Sequence, residues 1–174
     1  MLIRNYITTQ RLFKLVISLL FVFCNQQITK AQQKPPRPIS VTVNPVQGLI
    51  FGAFYQGVSG GTITIFSNGT RSVSGDIIQA NMGFSFSPAI FEVEALPGTL
   101  ISILNGSDVS LSGSNGGSMT LRLGNSNLGN SFISNALSPT TTQVTIGGIL
   151  TIGNPLANPP GNYSGSFSVT FIQE

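Results

Sequence analysis

The sequence predicts an all-β fold, a sandwich or barrel, and three observations carry the prediction. Apolar and small polar residues alternate in short runs separated by turn formers, which is the period of half-buried strands. Ser, Thr, Gly and Asn hold most polar positions, and charged residues make up only 7% of the chain. The Lys and Glu that clothe helix surfaces are therefore scarce, and no stretch keeps a helical period. The third observation is the run at residues 161–172, where Tyr163, Phe167, Val169 and Phe171 share one side of a regular alternation. These four side chains are expected to anchor the core.

Ahead of the strands, Arg4, Arg11 and Lys14 precede the apolar stretch 15–23. That stretch is too short for a bilayer anchor and has the layout of a signal peptide. Cleavage is expected after Ala31. The competing assignment, lipidation of Cys24, meets the large Phe23 where such processing favours a small residue. Cleavage takes away Arg4, Arg11, Lys14 and Lys30 together with the one cysteine, so the exported domain holds no disulfide and depends on packing. Residues 32–38, with Pro35, Pro36 and Pro38, form an extended tether, because proline lacks the N–H a ladder needs. Residues 39–174 are one β domain, long enough for a core of ordinary size.

The strands are expected in this order. Ile39, Val41 and Val43 alternate with Ser40 and Thr42 in a first strand that Asn44-Pro45 ends. Residues 49–54 are a second apolar segment, residues 57–61 a loop, and residues 62–66 the next strand. Ser67-Asn68-Gly69-Thr70 predicts a two-residue hairpin turn, since Asn-Gly tolerates positive φ. Strands follow at 71–78, 83–87 and 89–95, then a Pro97-Gly98 turn, then strands at 99–104, 109–112 and 118–123. Residues 124–139 read as loop with one short strand around Phe132. Runs at 143–146 and 149–152 flank Gly147-Gly148, the expected tip of a tight hairpin. Residues 154–162, with three prolines, form the last long loop.

Several of these segments together resemble a known family. They are Phe51-Gly52-Ala53-Phe54, Gly60-Gly61-Thr62-Ile63-Thr64-Ile65 with Arg71 beyond it, the Gly-Gly-x-Leu-x-Ile-Gly segment at 147–153, and the closing Gly161-x-Tyr163-x-Gly165-x-Phe167-x-Val169-x-Phe171. In this order they are similar to domain of unknown function family 4402, a family of secreted bacterial domains, over residues 39–171. The resemblance implies an immunoglobulin-like β-sandwich of the pilin or adhesin kind, related to fimbrial and spore-coat U-type subunits and usual in Gram-negative bacteria. It implies no established activity. The closing strand is similar to the last strand of chaperone-usher pilins, although the disulfide that pilins often carry cannot form here.

Function is bounded mainly by what the sequence lacks. Without histidine, Ser-His-Asp and Cys-His catalysis are ruled out, and zinc loses its usual nitrogen ligand. Glu92 and Glu94 lie two apart in a strand, ~7 Å from each other on one face, the range of an inverting glycosidase pair. Phe91, Val93 and Ala95 take the opposite face, which makes a solvated outer surface the better reading of the two glutamates. Asp76 and Asp108 sit in no calcium-loop motif and read as turn residues. Asn68, Asn105 and Asn162 begin glycosylation-type triplets that also suit turns. The four cations left after cleavage, Lys34, Arg37, Arg71 and Arg122, are too scattered for a nucleic-acid backbone.

No catalytic, cofactor or metal residue is expected, and no membrane span in the mature chain. The expected role is that of an exported, non-enzymatic structural or adhesive module at the bacterial surface or in the periplasm, fimbria-like in its assembly. The alternative is a soluble carbohydrate-binding module. Strand addition to like subunits through Ile39, Val41 and Val43 is one route to assembly. The other arrangement keeps that strand within its own chain.

Overall fold

The computed structural model describes the backbone of residues 40–43 and, in full, residues 47–135, 137 and 140–174. The expected signal peptide, the tether and Ile39 lie outside the described residues. Among the described residues the fold is all-β, with no helix. No helix there is long and apolar enough to cross a membrane. The strands are β1 Ser40–Val43, β2 Phe54–Ile65, β3 Arg71–Gln79, β4 Ala89–Glu94, β5 Leu100–Asn105, β6 Val109–Gly113, β7 Ser118–Ser126, β8 Ser131–Ile133, β9 Thr142–Ile152, β10 Tyr163–Ser164 and β11 Val169–Gln173.

They form two curled antiparallel sheets. The larger runs β1-β4-β9-β7-β6-β10, with the β2–β3 hairpin also joined to β9, and the smaller runs β11-β5-β8. Strand β9 is the spine of the large sheet. Its first half pairs with β4, as in Val144 with Phe91, and its second half pairs with β2, as in Leu150 with Ile63. Strand β7 holds the other edge of β9, through Leu121 with Leu150 and Ser126 with Ile146. Every second side chain points inward, and two clusters result. One collects Ile63, Ile65, Leu111, Met119, Leu121, Leu150 and their neighbours from the curled large sheet. The other collects Phe91, Val93, Val144 and Ile146 with Ile101 of the small sheet.

Leu49 and Phe167 pack against both clusters. The Phe91 and Phe171 rings meet at 5.5 Å between centroids, tilted, which ties β4 to the small sheet.

Several local expectations are corrected here. Gly147-Gly148 makes no turn; both residues lie within the continuous strand β9. A Cβ on Gly147 would stand 2.1 Å from the carbonyl oxygen of Ile65, so glycine is required there because another backbone passes against it. Residues 57–61 belong to β2 as an irregularity in the β2–β3 register, where Asp76 accepts a bond from the Ser59 N–H at 3.3 Å. Asp76 is thus a strand residue. The 66–70 turn forms, but with three residues at its tip: Phe66 N–H bonds Thr70 O, and only Gly69 has positive φ. A two-residue I′ turn would also need positive φ at Asn68. Asn68 instead accepts bonds from the Thr70 N–H and hydroxyl.

Residues 83–87 contribute a single bridge, Ser87 with Ile50. The long run at 161–172 divides. Its start, β10, pairs with β6 in the large sheet, and its end, β11, pairs with β5 in the small one. Residues 165–168 carry the chain from one sheet to the other. The inward set still holds, with Tyr163, Phe167, Val169 and Phe171 half-buried between exposed neighbours.

The one ion pair between described side chains joins Arg122 to Asp108 through both carboxylate oxygens, the closest contact being 2.7 Å. The hydrogen bond from Arg122 holds the Asp108 carboxyl below its usual value. A lowered pKa stabilises the fold above the ordinary carboxylate range and loses that effect as pH falls through the folded value. Both side chains are well exposed, so the effect is small and screened by salt. Asp108→Asn is expected to leave the melting temperature near wild type at neutral pH and to flatten its decline in acid. Thermal melts at low and high ionic strength across about pH 2 to 7 test this. A large loss at neutral pH would show that the pair does more than this.

Candidate functional site

A groove of roughly 780 Å3 opens the first cluster to the surface. Leu111, Met119, Leu121 and Leu150, all buried, form its floor. One rim is the stretch from Leu49 to Gln56 and the other runs from Pro159 to Phe167.

Sequence explains why neither rim is closed by a regular strand. Gly52 takes φ +72°, which interrupts pairing just ahead of β2. Pro155, Pro159 and Pro160 supply no N–H to a ladder on the far side. Phe51, Gly52, Gly165, Ser166 and Phe167 make no backbone–backbone hydrogen bond among the described residues.

Both rims are nevertheless fixed. Ile50 and Ser87 exchange backbone bonds at 2.9 Å, and the Arg71 guanidinium donates to Ala53 O at 2.8 Å. Arg71 lies beside Gly52 and stacks on Phe86, 5.5 Å from the ring centroid. Its Nε is buried without a partner, and desolvation lowers its pKa. It acts as a clamp on the first rim while keeping its charge. On the second rim, Tyr163 donates its hydroxyl to Pro159 O at 2.7 Å and Asn115 donates to Pro160 O at 2.7 Å. Asn158, buried, accepts from the Gly153 N–H and donates to Ser118 O, pinning the proline loop to β7 and β9.

Among the described residues, no Asp, Glu, Lys or Arg lines the groove. Its polar groups are backbone, Tyr, Gln, Asn and Ser, so the site suits a neutral, largely apolar occupant. Tyr55 is exposed at one end, and its hydroxyl meets the Met82 sulfur at 3.5 Å.

The carboxylates singled out from the sequence lie elsewhere. Glu92 and Glu94 are half-buried on the face of β4 opposite Phe91 and Val93; Glu92 stands between Thr42 and Gln143, and Glu94 opposite Ser40. Neither lines the groove. Asp76 and Asp108 are engaged with Ser59 and Arg122, and no three acidic or thiol side chains gather to hold a metal among the described residues. Sequence reasoning did not find the groove. The signals it had were Phe51-Gly52-Ala53-Phe54, the distant Arg71 and the prolines of the last loop, which only the fold brings together.

The fold is thus an all-β domain of two curled sheets with a groove that no charged side chain lines among the described residues. The model of the family described as Domain of unknown function (DUF4402) matches residues 41–172, and the chain belongs to that family. No curated protein and no solved structure matches it.

Proposed function

We propose that the chain is an exported, non-enzymatic structural module, an immunoglobulin-like β-sandwich of the bacterial surface or periplasm that joins like subunits in a fimbria-like assembly. The groove is the observation that carries this reading. An apolar floor between two rims with unbonded backbone groups suits an extended segment, which would supply main-chain partners to the rims and alternate apolar side chains to the floor. Residues 39–43 of a neighbouring copy have that pattern in Ile39, Val41 and Val43 and carry no charge. Within one chain, Ser40–Val43 pairs with β4, so donation to a neighbour's groove means that this strand leaves its own β4 edge.

The test has two arms. Deleting residues 39–43 is expected to abolish assembly larger than a dimer in light scattering. A synthetic peptide of residues 38–44 is expected to bind the full chain, whose β4 edge is already occupied, and to change tyrosine emission through Tyr163; replacing Val41 by Asp in the peptide should weaken binding at least tenfold. Assembly larger than a dimer that persists after the deletion, with no response to the peptide, would refute donation.

A second reading, a carbohydrate-binding module, draws on the exposed Tyr55 and Phe84 beside the groove. It predicts a saturable glycan signal that Tyr55→Ala removes.

A further inference from the structure

From the small sheet we infer a second interaction surface: the outer edge of β11 is a self-pairing edge that joins two copies of this chain into a six-stranded sheet. Strand β11 pairs with β5 alone, and its other side meets no strand among the described residues. The direction of its backbone groups follows from two bonds. The Glu174 N–H bonds Leu100 O, and the Gly106 N–H bonds Ser168 O. Residues 168, 170, 172 and 174 therefore face β5, and by the alternation of an antiparallel pair Val169, Phe171 and Gln173 turn both N–H and C=O to the open edge. Their side chains point to the core but are only half-buried, so along this line no described residue fully covers the flank of the second cluster.

The usual guards of an edge are missing. Val169-Thr170-Phe171-Ile172-Gln173 has no charge, no proline and no bulge. Strand β3, by contrast, carries Asp76 and a break in register.

The outer face of the same sheet is also apolar. Leu104 is 59% exposed, Ile133 57%, Ile172 45% and Leu100 37%. Leu100 lies opposite Ile133, and Ile172, opposite Ser102, is diagonal to Leu100 and Leu104. A sheet with one face on the core normally turns polar residues outward.

A second copy fits this edge by symmetry and charge. A two-fold axis at Phe171 sets Val169 opposite Gln173 and Phe171 opposite its own copy, so all three outward-facing residues of each strand bond in register. Thr170 then faces Ile172 and Glu174 faces Ser168. No like charges meet, whereas a charged partner strand finds no complementary charge here. The join is about 17 Å long and merges the two apolar faces.

Sedimentation equilibrium of the purified chain tests the pairing. A concentration-dependent dimer is expected, and Thr170→Lys with Ile172→Lys, both on the exposed face, should weaken it at least tenfold by setting lysines opposite one another. A thermal melt of that variant verifies its fold. As a second probe, Gln173→Pro removes an outward N–H without touching the β5 ladder and should weaken the dimer likewise. A wild-type chain that stays monomeric to millimolar concentration, as it would if this edge served a different protein, overturns the inference. So does a folded lysine variant that dimerises unchanged. Deletion of residues 39–43 leaves this dimer intact, so failure of strand donation and failure of edge pairing give different results.

Discussion

Gly147→Ala is expected to lower the unfolding midpoint more than any exposed substitution in the chain, by about 3 kcal/mol, because the added methyl has nowhere to go. Its Cβ would fall 2.1 Å from Ile65 O and 3.0 Å from the Ile65 and Phe66 carbonyl carbons. These are backbone atoms at the end of β2, next to the Ile65–Gly148 pairing, and they move only if that ladder opens. The consequence reaches beyond one contact, since β9 joins β4, β2 and β7 at this point. A midpoint drop of roughly 6 to 12 °C is the corresponding thermal signature. Gly124→Ala is the control: its Cβ comes no closer than 3.5 Å to any neighbour, so it should melt near wild type. Equal melts for the two variants would mean that β2 does not pass β9 as described.

Phe167→Ala is expected to cost about 2–3 kcal/mol, somewhat less than a fully buried phenylalanine, because the ring is half-buried. Few side chains here are as central. Phe167 packs on both clusters, lies in the segment that changes sheets, and forms part of the groove wall. Folding should suffer before any binding does. Phe167→Leu restores most of the packing and should recover most of the midpoint, which separates loss of apolar contact from damage to the crossover itself. A denaturant melt of Phe167→Ala indistinguishable from wild type would remove this residue from the core.

Much of the strand order was legible because burial imposes a period of two on each strand. Ala89, Phe91, Val93 and Ala95 are buried while Glu92 and Glu94 sit on the opposite face, as their alternation requires. Glycine was less informative. The same residue serves a turn at Gly69, where φ is positive, and a close backbone approach at Gly147, where it is not, and a linear sequence does not separate these demands. The groove was invisible for another reason. Its floor comes from β6, β7 and β9 and its rims from segments about a hundred residues apart, with no charged or catalytic motif to mark them.

By itself, then, the amino-acid pattern determined the all-β class, the inward side of β4 and of the 161–172 run, and the family, because each follows from local alternation, turn chemistry and short segments in fixed order. The tertiary structure alone decided that residues 161–172 divide between two sheets, that Gly147-Gly148 continues a strand, and where the core opens. Those outcomes depend on which strand lies alongside which, and pairing energy comes from partners distant in the chain.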